Sequence, residues 1–273
     1  MIIAGTIPLE NLDLIKGKPI IKGNNILINN LKFPIFMGTG ALISSCIKTL
    51  EYFNLENNIK VITAGDIGKG DGSLKIYNEL KEIDDDLTII HYIKPKINNI
   101  INIDFSSKII GDAGGMYAGK AANIGDKYYM FFPDVGELAF LADNEASHPA
   151  YVRGFISEID DKDIPQLINK AYYQKMPKYM VVKGKIDYIV ENGNIMNKIS
   201  SPLVEAMECI GGTGDTLTGI TSSLINAGYS PVEASNLSCI INRKLGKVVN
   251  AKPNTQIDKL IMEIPTVLKE MKI

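Results

Sequence analysis

The sequence predicts an α/β fold in which helices cover a mainly parallel central sheet. Short apolar runs rich in β-branched residues alternate along the chain with segments of helical periodicity, which is the pattern of consecutive β–α units. Hydrophobic residues make up 45% and charged residues 22% of the 273 positions, so the chain can bury a large core. No long linker rich in proline, glycine or serine divides it. We therefore expect one domain, residues 1–273.

The individual elements follow from the apolar spacing along the chain. In residues 1–37, which fit the α/β pattern least well, apolar runs predict short strands at 20–21, 26–28 and 34–37. Further strands are expected where β-branched residues cluster, at 60–64, 87–93, 108–111, 128–132, 179–182 and 187–190. Helices are expected where apolar residues recur every three to four positions, at 38–53, 74–83, 135–142, 164–173, 215–227, 231–249 and 255–271.

Charge and composition exclude several classes of function. Lysine and arginine number 29 against 31 aspartates and glutamates, and this balance argues against a broad nucleic-acid-binding face. No stretch approaches 18 uninterrupted apolar residues, so no membrane span is expected. Cys46, Cys209 and Cys239 form neither a disulfide framework nor a zinc-binding spacing, and the N-terminus lacks the basic start of a signal peptide. We expect a cytoplasmic protein that acts on a small-molecule substrate, and a homo-oligomer is left open.

The strongest chemical signal is a glycine-rich loop, CIGGTGD at residues 209–215, that leads into a predicted helix. Gly212, Thr213 and Gly214 allow a tight turn, and the free N–H groups at the positive end of the helix dipole suit a phosphate. Asp215 in the first helical turn has two explanations. It is either a charge that stabilises the helix or a general base beside a phosphate-binding loop, which is the minimum set for a kinase. Spacing alone leaves both explanations open.

Two further motifs follow predicted strands. Residues 65–72, GDIGKGDG, include Gly65 and Gly68 and form either a plain turn or a loop that a ligand approaches closely. Asp112 follows the strand at 108–111, at the edge where α/β sheets bind ligands, but turn chemistry explains it equally well. No Walker A sequence occurs.

Other charged residues also have two explanations each. Asp134 and Glu137 form either a helix-capping pair or a carboxylate group that orders water around Mg²⁺. Lys183 is either a solvated hairpin lysine or a nucleotide contact. His91 lies within an apolar strand pattern and is expected to be structural, while His148 falls in a predicted loop. Two histidines without a matching carboxylate or cysteine spacing do not support a zinc site.

Taken in order, these motifs resemble those of the ribokinase-like superfamily over about residues 60–250. Within it they are most similar to the ADP/ATP-dependent NAD(P)H-hydrate dehydratase branch. The branch motifs G-P-G-L-G, D-A-D, P-H-P-G-E, V-x-K-G and G-[ST]-G-D-x-L-x-G correspond here to residues 65–70, 112–114, 133–137, 181–184 and 212–219. The last motif is specific for the superfamily, and the others assign the branch only together.

The resemblance implies a three-layer α/β/α ribokinase-like domain that transfers a phosphoryl group and uses ATP or ADP with Mg²⁺. It makes Asp215 the general base and the N–H groups of residues 212–214 the anion hole. Lys183 and Gly184 would then bind nucleotide, and Glu137 and Asp112 would reach the metal through water. The substrate-binding positions implied in the same way are Gly38, Thr39, Gly40, Gly65, Gly68 and Asp134.

In the dehydratase branch the phosphorylated hydroxyl of a hydrated nicotinamide ring leaves as phosphate. Two alternatives stay open beside this activity. One is a kinase for a sugar, a vitamin precursor or a nucleoside, and the other is a nucleotide-binding regulator without catalysis.

Three positions depart from the branch motifs. All three are expected around the acceptor substrate rather than around the phosphates of the nucleotide. Asp66 replaces a proline, Gly114 an aspartate and Asp134 a histidine. The carboxylates of Asp66 and Asp134 would repel a pyrophosphate-bearing substrate if they pointed into the acceptor cleft. We expect that cleft between residues 65–72 and the Asp215 loop, with residues 38–41 along its edge.

Overall fold

The computed structural model describes residues 1–82, 85–146 and 162–273. The strands in these ranges are β1 (Ile2–Ala4), β2 (Ile15–Gly17), β3 (Pro19–Lys22), β4 (Asn25–Ile28), β5 (Leu31–Pro34), β6 (Lys60–Thr63), β7 (Leu87–Ile90), β8 (Lys108–Gly111), β9 (Met130–Phe131), β10 (Tyr179–Val182), β11 (Asp187–Glu191) and β12 (Asn194–Ile199). The α-helices are α1 (Thr39–Tyr52), α2 (Asp71–Leu80), α3 (Ile97–Ile100), α4 (Gly114–Ala121), α5 (Val135–Ala142), α6 (Ile164–Tyr173), α7 (Thr213–Asn226), α8 (Pro231–Val248), α9 (Ile257–Met262) and α10 (Ile264–Met271).

A nine-stranded sheet forms the middle of the molecule, in the order β12-β11-β10-β9-β8-β7-β1-β6-β2. The six strands from β10 to β6 in that order run parallel, and β11, β12 and β2 extend the two edges antiparallel. Continuous apolar runs such as the buried positions of β7 and β8 are typical of parallel strands that are covered on both faces. The prediction of a mainly parallel central sheet is confirmed.

Helices cover both faces of this sheet. Because side chains alternate along a strand, Ile3 and Ile89 pack in a core with α1 and α7 to α10, whereas Ile2 and Ile90 pack in a second core with α2 to α6. These two cores on opposite faces confirm the three-layer α/β/α arrangement.

A separate three-stranded antiparallel sheet, in the order β3-β4-β5, precedes α1 and contributes Ile26, Ile28 and Phe33 to the first core. The strand predicted at 34–37 is wrong, since β5 ends at Pro34 and Met37 is 63% exposed.

The single helix predicted at 255–271 is also wrong, because α9 and α10 are separated at Glu263. Pro265 in the first turn of α10 has no N–H to continue a preceding helix and would clash with its last turn. Residue 83, where the helix predicted at 74–83 would end, and His148 lie outside the described residues. Within the described ranges no helix is both long enough and apolar enough to cross a membrane.

The carboxyl ends of the parallel strands bring several polar residues to one edge of the sheet. Thr6 follows β1, His91 follows β7, Asp112 follows β8, Asp134 follows β9 and Lys183 follows β10. This is the edge at which open α/β sheets bind ligands.

Candidate active site

The N-terminus of α7 presents free backbone donors at this edge. Gly212 is the N-cap and adopts a left-handed conformation with φ of 101°, which favours glycine. The N–H of Thr216 donates to the carbonyl of Gly212 at 2.9 Å, so this bond is the first of the helix. The N–H groups of Thr213, Gly214 and Asp215 therefore have no acceptor within α7 and suit an anion.

Two hydrogen bonds fix the carboxylate of Asp215, which is 14% exposed. The N–H of Gly38 donates to Oδ2 at 2.7 Å, and Nε2 of His91 lies 2.9 Å from Oδ1. Burial opposes ionisation of Asp215, but the hydrogen bond and charge of His91, the charge of Lys183 and the bond from Gly38 outweigh it and lower the pKa. Asp215 is therefore ionised at neutral pH.

Asp112 and Lys183 form a buried ion pair next to this helix end. The Nζ of Lys183 donates to Oδ1 of Asp112 at 3.0 Å, and the hydroxyl of Thr218 donates to Oδ2 at 2.6 Å. Burial lowers the pKa of Lys183, but the carboxylates of Asp112, Glu137 and Asp215 outweigh it and raise the pKa well above its ordinary value. A Cβ at Gly214 would lie 3.4 Å from the Nζ of Lys183, so this cation lies beside the free N–H groups of α7.

The backbone after Asp112 is strained and tightly packed. Ala113 has φ of +46°, which is rare for a residue other than glycine and is typical of functional sites. A Cβ at Gly114 would lie 1.9 Å from the carbonyl oxygen of Ile93, so no side chain fits there. The aspartate that the resembling branch has at this position is therefore excluded by the close approach of α4 to the end of β7.

Glu137 is tied to its own helix. It forms a capping box with Asp134, in which the N–H of Asp134 donates to Oε2 at 2.8 Å and the N–H of Glu137 donates to Asp134 Oδ1 at 2.7 Å. Its second oxygen accepts a hydrogen bond from the hydroxyl of Tyr117. The capping explanation is confirmed. Burial and the nearby charges of Asp134 and Asp112 raise the pKa of Glu137 to about 7, against the opposing charge of Lys183.

His91, Asp112 and Asp215 form the one three-residue group of potential metal ligands in the described part of the chain, with one ligand atom each within 4.8 Å of the others. Each of these atoms is already engaged, because His91 contacts Asp215 and the oxygens of Asp112 accept from Lys183 and Thr218.

The loop at residues 65–72 stands apart from this cluster. The carboxylate of Asp66 accepts hydrogen bonds from the N–H groups of Gly68 and Gly70 at 2.9 Å and from the hydroxyl of Ser73 at 2.9 Å, so it is turned into its own loop. Burial opposes ionisation of Asp66, but these bonds outweigh it and lower the pKa. Gly65 lines a cavity of about 320 Å³. A second cavity, of about 590 Å³, is lined by Lys183 and shares no lining residue with the first. Gly68 is exposed.

The segment that opens α1 does reach Asp215. Gly38 donates to it, and the buried hydroxyl of Thr39 contacts His91 Nδ1 at 3.2 Å, while Gly40 is buried in the first turn. His91 is fully buried, as its apolar strand pattern predicts, but its ring also contacts Asp215, which that pattern does not predict. One signal could have found it, since His91 directly follows a buried strand, as Asp112 does.

A cavity of about 590 Å³ opens between the ends of β9 and β10 and the helices α7 and α8. Its polar wall contains Lys183, Gly184, Thr213, Gly214 and Asp134. Its apolar wall contains Leu203, Val204, Met207 and Leu217. The Asp134 predicted to bind substrate therefore lies with the residues predicted to bind nucleotide.

The sequence profile of the NAD(P)H-hydrate dehydratase family matches residues 88–266. The chain belongs to this family. The matched region contains Asp112, Glu137, Lys183, Asp215 and also His91. The family and the fold identify an enzyme of the carbohydrate-kinase-like type.

A relative and two solved structures add to this assignment. A protein of uncharacterised function from Methanocaldococcus jannaschii is 66% identical over 228 residues, which cover 84% of this chain and 98% of that protein. The ADP/ATP-dependent NAD(P)H-hydrate dehydratase of Bacillus subtilis, co-crystallised with ATP/Mg²⁺, has a TM-score of 0.57 at 13% identity and covers 85% of this chain and 84% of its own. Phosphofructokinase-2 of Escherichia coli has a TM-score of 0.56 at 13% identity and covers 98% of this chain and 99% of its own. Both likenesses establish the ribokinase-like fold.

Proposed function

We propose that this protein is a nucleotide-dependent phosphoryl-transfer enzyme that acts as an NAD(P)H-hydrate dehydratase. The observation that carries this proposal is the position of Asp215. Its ionised carboxylate belongs to the first turn of α7, whose N–H groups are free, and the charge of Lys183, which lies beside Gly214, acts on it. A carboxylate that accepts a hydroxyl proton beside donors that hold the transferring phosphoryl group is what this chemistry requires.

The cavity beside Lys183 suits the nucleotide. Its volume of about 590 Å³ is within the range of small-molecule sites. We place the base against Val204, Met207 and Leu217, because these side chains form the apolar wall. The phosphates then extend towards Lys183 and Gly214. A fold neighbour from Bacillus subtilis was co-crystallised with ATP/Mg²⁺, which supports a nucleotide as the ligand, and either ATP or ADP fits this cavity.

Mg²⁺ fits this site through water rather than by direct contact. Asp112 and Glu137 already accept protein hydrogen bonds at both carboxylate oxygens, so they would hold the water shell that Mg²⁺ tends to keep. When bound, the ion would neutralise charge on the nucleotide phosphates.

Different residues of this chain have different roles in the reaction. Asp215 takes the proton as the substrate hydroxyl oxygen bonds to the terminal phosphorus of the nucleotide. The bond between that phosphorus and its bridging oxygen breaks at the same time, so ATP leaves as ADP, or ADP leaves as AMP. The N–H groups of Thr213 and Gly214 and the cation of Lys183 stabilise the charge on the transferred group. The ring C–O bond then breaks, phosphate leaves with its electron pair, and loss of a ring proton restores the dihydropyridine. The carboxylate of Asp66 binds its own loop, and that of Asp134 caps α5 where it lines the nucleotide cavity, so we place the pyrophosphate of the substrate away from both.

The test is the conversion of hydrated NADH in the presence of Mg²⁺ and either ATP or ADP, followed by the recovery of dihydronicotinamide absorbance and the release of phosphate. Asp215→Asn is expected to lower kcat by about 10²–10⁴ while the nucleotide affinity is unchanged, because only the general base is lost. Asp126→Asn is a matched control, since Asp126 is exposed in the turn before β9. It therefore lies at the amino end of that strand, whereas the site lies at the carboxyl ends.

Three outcomes would contradict the proposal. A wild-type rate in Asp215→Asn would exclude the general-base role. Phosphorylation of another alcohol without recovery of the dihydronicotinamide would identify a small-molecule kinase. Nucleotide binding without turnover of any acceptor would identify a regulator.

A further inference from the structure

His91 is the most constrained polar side chain near Asp215. Its ring is fully buried, and its backbone is fixed on both sides, since its N–H donates to the carbonyl of Ala4 at 2.9 Å and its carbonyl accepts from Gly115 at 2.8 Å. A fully buried imidazole needs a partner at each nitrogen. Here Nδ1 contacts the hydroxyl of Thr39 at 3.2 Å and Nε2 contacts Asp215 at 2.9 Å.

The hydrogens in the series of contacts from Thr6 through Thr39 and His91 to Asp215 can be assigned by counting donors. The hydroxyl of Thr39 lies 2.7 Å from the carbonyl oxygen of Thr6, which can only accept, so the single hydroxyl hydrogen is used there. The Thr39 oxygen must then accept from Nδ1 of His91. A carboxylate oxygen can only accept, so the hydrogen of the second contact lies on Nε2, and His91 donates to Asp215.

We propose that His91 is a positioning residue for Asp215: anchored through Thr39 to the carbonyl of Thr6, it donates from Nε2 to Oδ1 and holds the carboxylate towards the acceptor hydroxyl. This inference rests on the proposed role of Asp215 as general base. A base needs an orienting partner because a displacement of about 1 Å costs about 10²-fold in rate. The N–H of Gly38 fixes the other oxygen, so the two bonds together restrict rotation of the carboxylate.

The position of the His91 ring also fits its surroundings. Its Nε2 lies 3.8 Å from Oδ2 of Asp112, so the ring stands between two carboxylates that would otherwise repel each other. The cation of Lys183 contacts the other oxygen of Asp112 at 3.0 Å, so His91 and Lys183 lie on either side of that carboxylate.

The kinetic test compares two amides that each replace one ring nitrogen. The side-chain nitrogen of His91→Gln falls near Nε2 and can still donate to Asp215, whereas that of His91→Asn falls near Nδ1 and reaches only Thr39. We expect His91→Asn to lower kcat with hydrated NADH by about 10²-fold at unchanged nucleotide KM, and His91→Gln to recover most of this loss. In an Asp215→Asn background, His91→Asn should cause no further loss, because the group it positions is gone.

Each result decides a separate point. An equal loss in His91→Asn and His91→Gln, or an undiminished further loss in the Asp215→Asn background, would overturn the positioning role. A loss in Asp215→Asn without a loss in His91→Asn would overturn that role alone. Full activity in Asp215→Asn would overturn the general base and the positioning role together.

A spectroscopic test on the wild-type residue does not depend on how the His91 variants fold. The chain has two histidines, so in His148→Gln the ring nitrogens of His91 give the only imidazole signals. We expect nitrogen NMR to show a hydrogen on Nε2 of His91. An Nε2 without a hydrogen would overturn the assignment of His91 as the donor.

Discussion

Glu137 is expected to make the stability of the folded protein depend on pH near neutrality, and Glu137→Gln should remove this dependence. The wild-type carboxyl is held by Asp134 and Tyr117, and burial raises its pKa from 4.5 to about 7. Glutamine keeps both contacts, because its oxygen can accept from the N–H of Asp134 while its amide donates to the Tyr117 oxygen. The substitution therefore changes charge with little change in shape.

The direction and size of this effect on the unfolding free energy follow from the pKa of Glu137 in the unfolded chain and in the folded protein. Between about pH 4.5 and 7 the folded protein binds a proton at Glu137 that the unfolded chain has lost, so stability falls as the pH rises through this window and is level above it. A rise from 4.5 to about 7 corresponds to about 3 kcal/mol of destabilisation of the ionised form. Because the side chain keeps some contact with solvent, this is an upper value.

The assay is urea unfolding of the wild type and Glu137→Gln at pH 5, 6, 7 and 8, without nucleotide. The two proteins should be similar in stability at pH 5, and Glu137→Gln should be the more stable by up to about 3 kcal/mol at pH 8. A difference that stays constant from pH 5 to 8 would refute the raised pKa. A Glu137→Gln variant that loses stability at every pH would show that the amide does not keep the cap.

Two further predictions concern the buried ion pair and the glycine that follows it. Lys183→Met leaves Asp112 buried at 2% exposure without its cation, and should cost about 3–5 kcal/mol in unfolding free energy as well as most of kcat. Lys60→Met, at an exposed lysine at the start of β6, should cost neither. An equal loss in both lysine variants would argue against the pair. Gly114→Ala places a Cβ 1.9 Å from the carbonyl oxygen of Ile93 and should lower Tm strongly; an unchanged Tm would show that α4 can shift without cost.

Local sequence predicted the parts of the fold that are built from neighbouring residues. The strands at β6, β8 and β10 follow from runs of β-branched residues that pack on both faces. The central strand β1 escaped prediction, because three apolar residues at a chain end carry no readable period. Only its pairing with β6 on one side and β7 on the other identifies it.

The same limit applies to the site. The loop before Asp215 could be read from its glycines, since a tight turn and a helix start are local features. The partners of Asp215 could not, because His91 is 124 residues away and Gly38 is 177 residues away in sequence. His91 was concealed by its own surroundings, as a strand of apolar residues predicts a buried side chain and says nothing about what a buried imidazole donates to.

Gly38, which donates to Asp215, lies outside the region that the family profile matches. The matched region begins at residue 88, so it includes the phosphate end of the site but not the N–H that fixes Oδ2 of Asp215. Met37 precedes Gly38, is 63% exposed, and lies so close to Gly211 that a Cβ there would be 3.0 Å from its Cε. The side of Asp215 next to Gly38 is thus built by a segment outside the matched region, which directly follows the β3-β4-β5 sheet. We expect the phosphate chemistry to depend on the matched residues, and the choice of acceptor to depend in part on residues that the family profile does not cover.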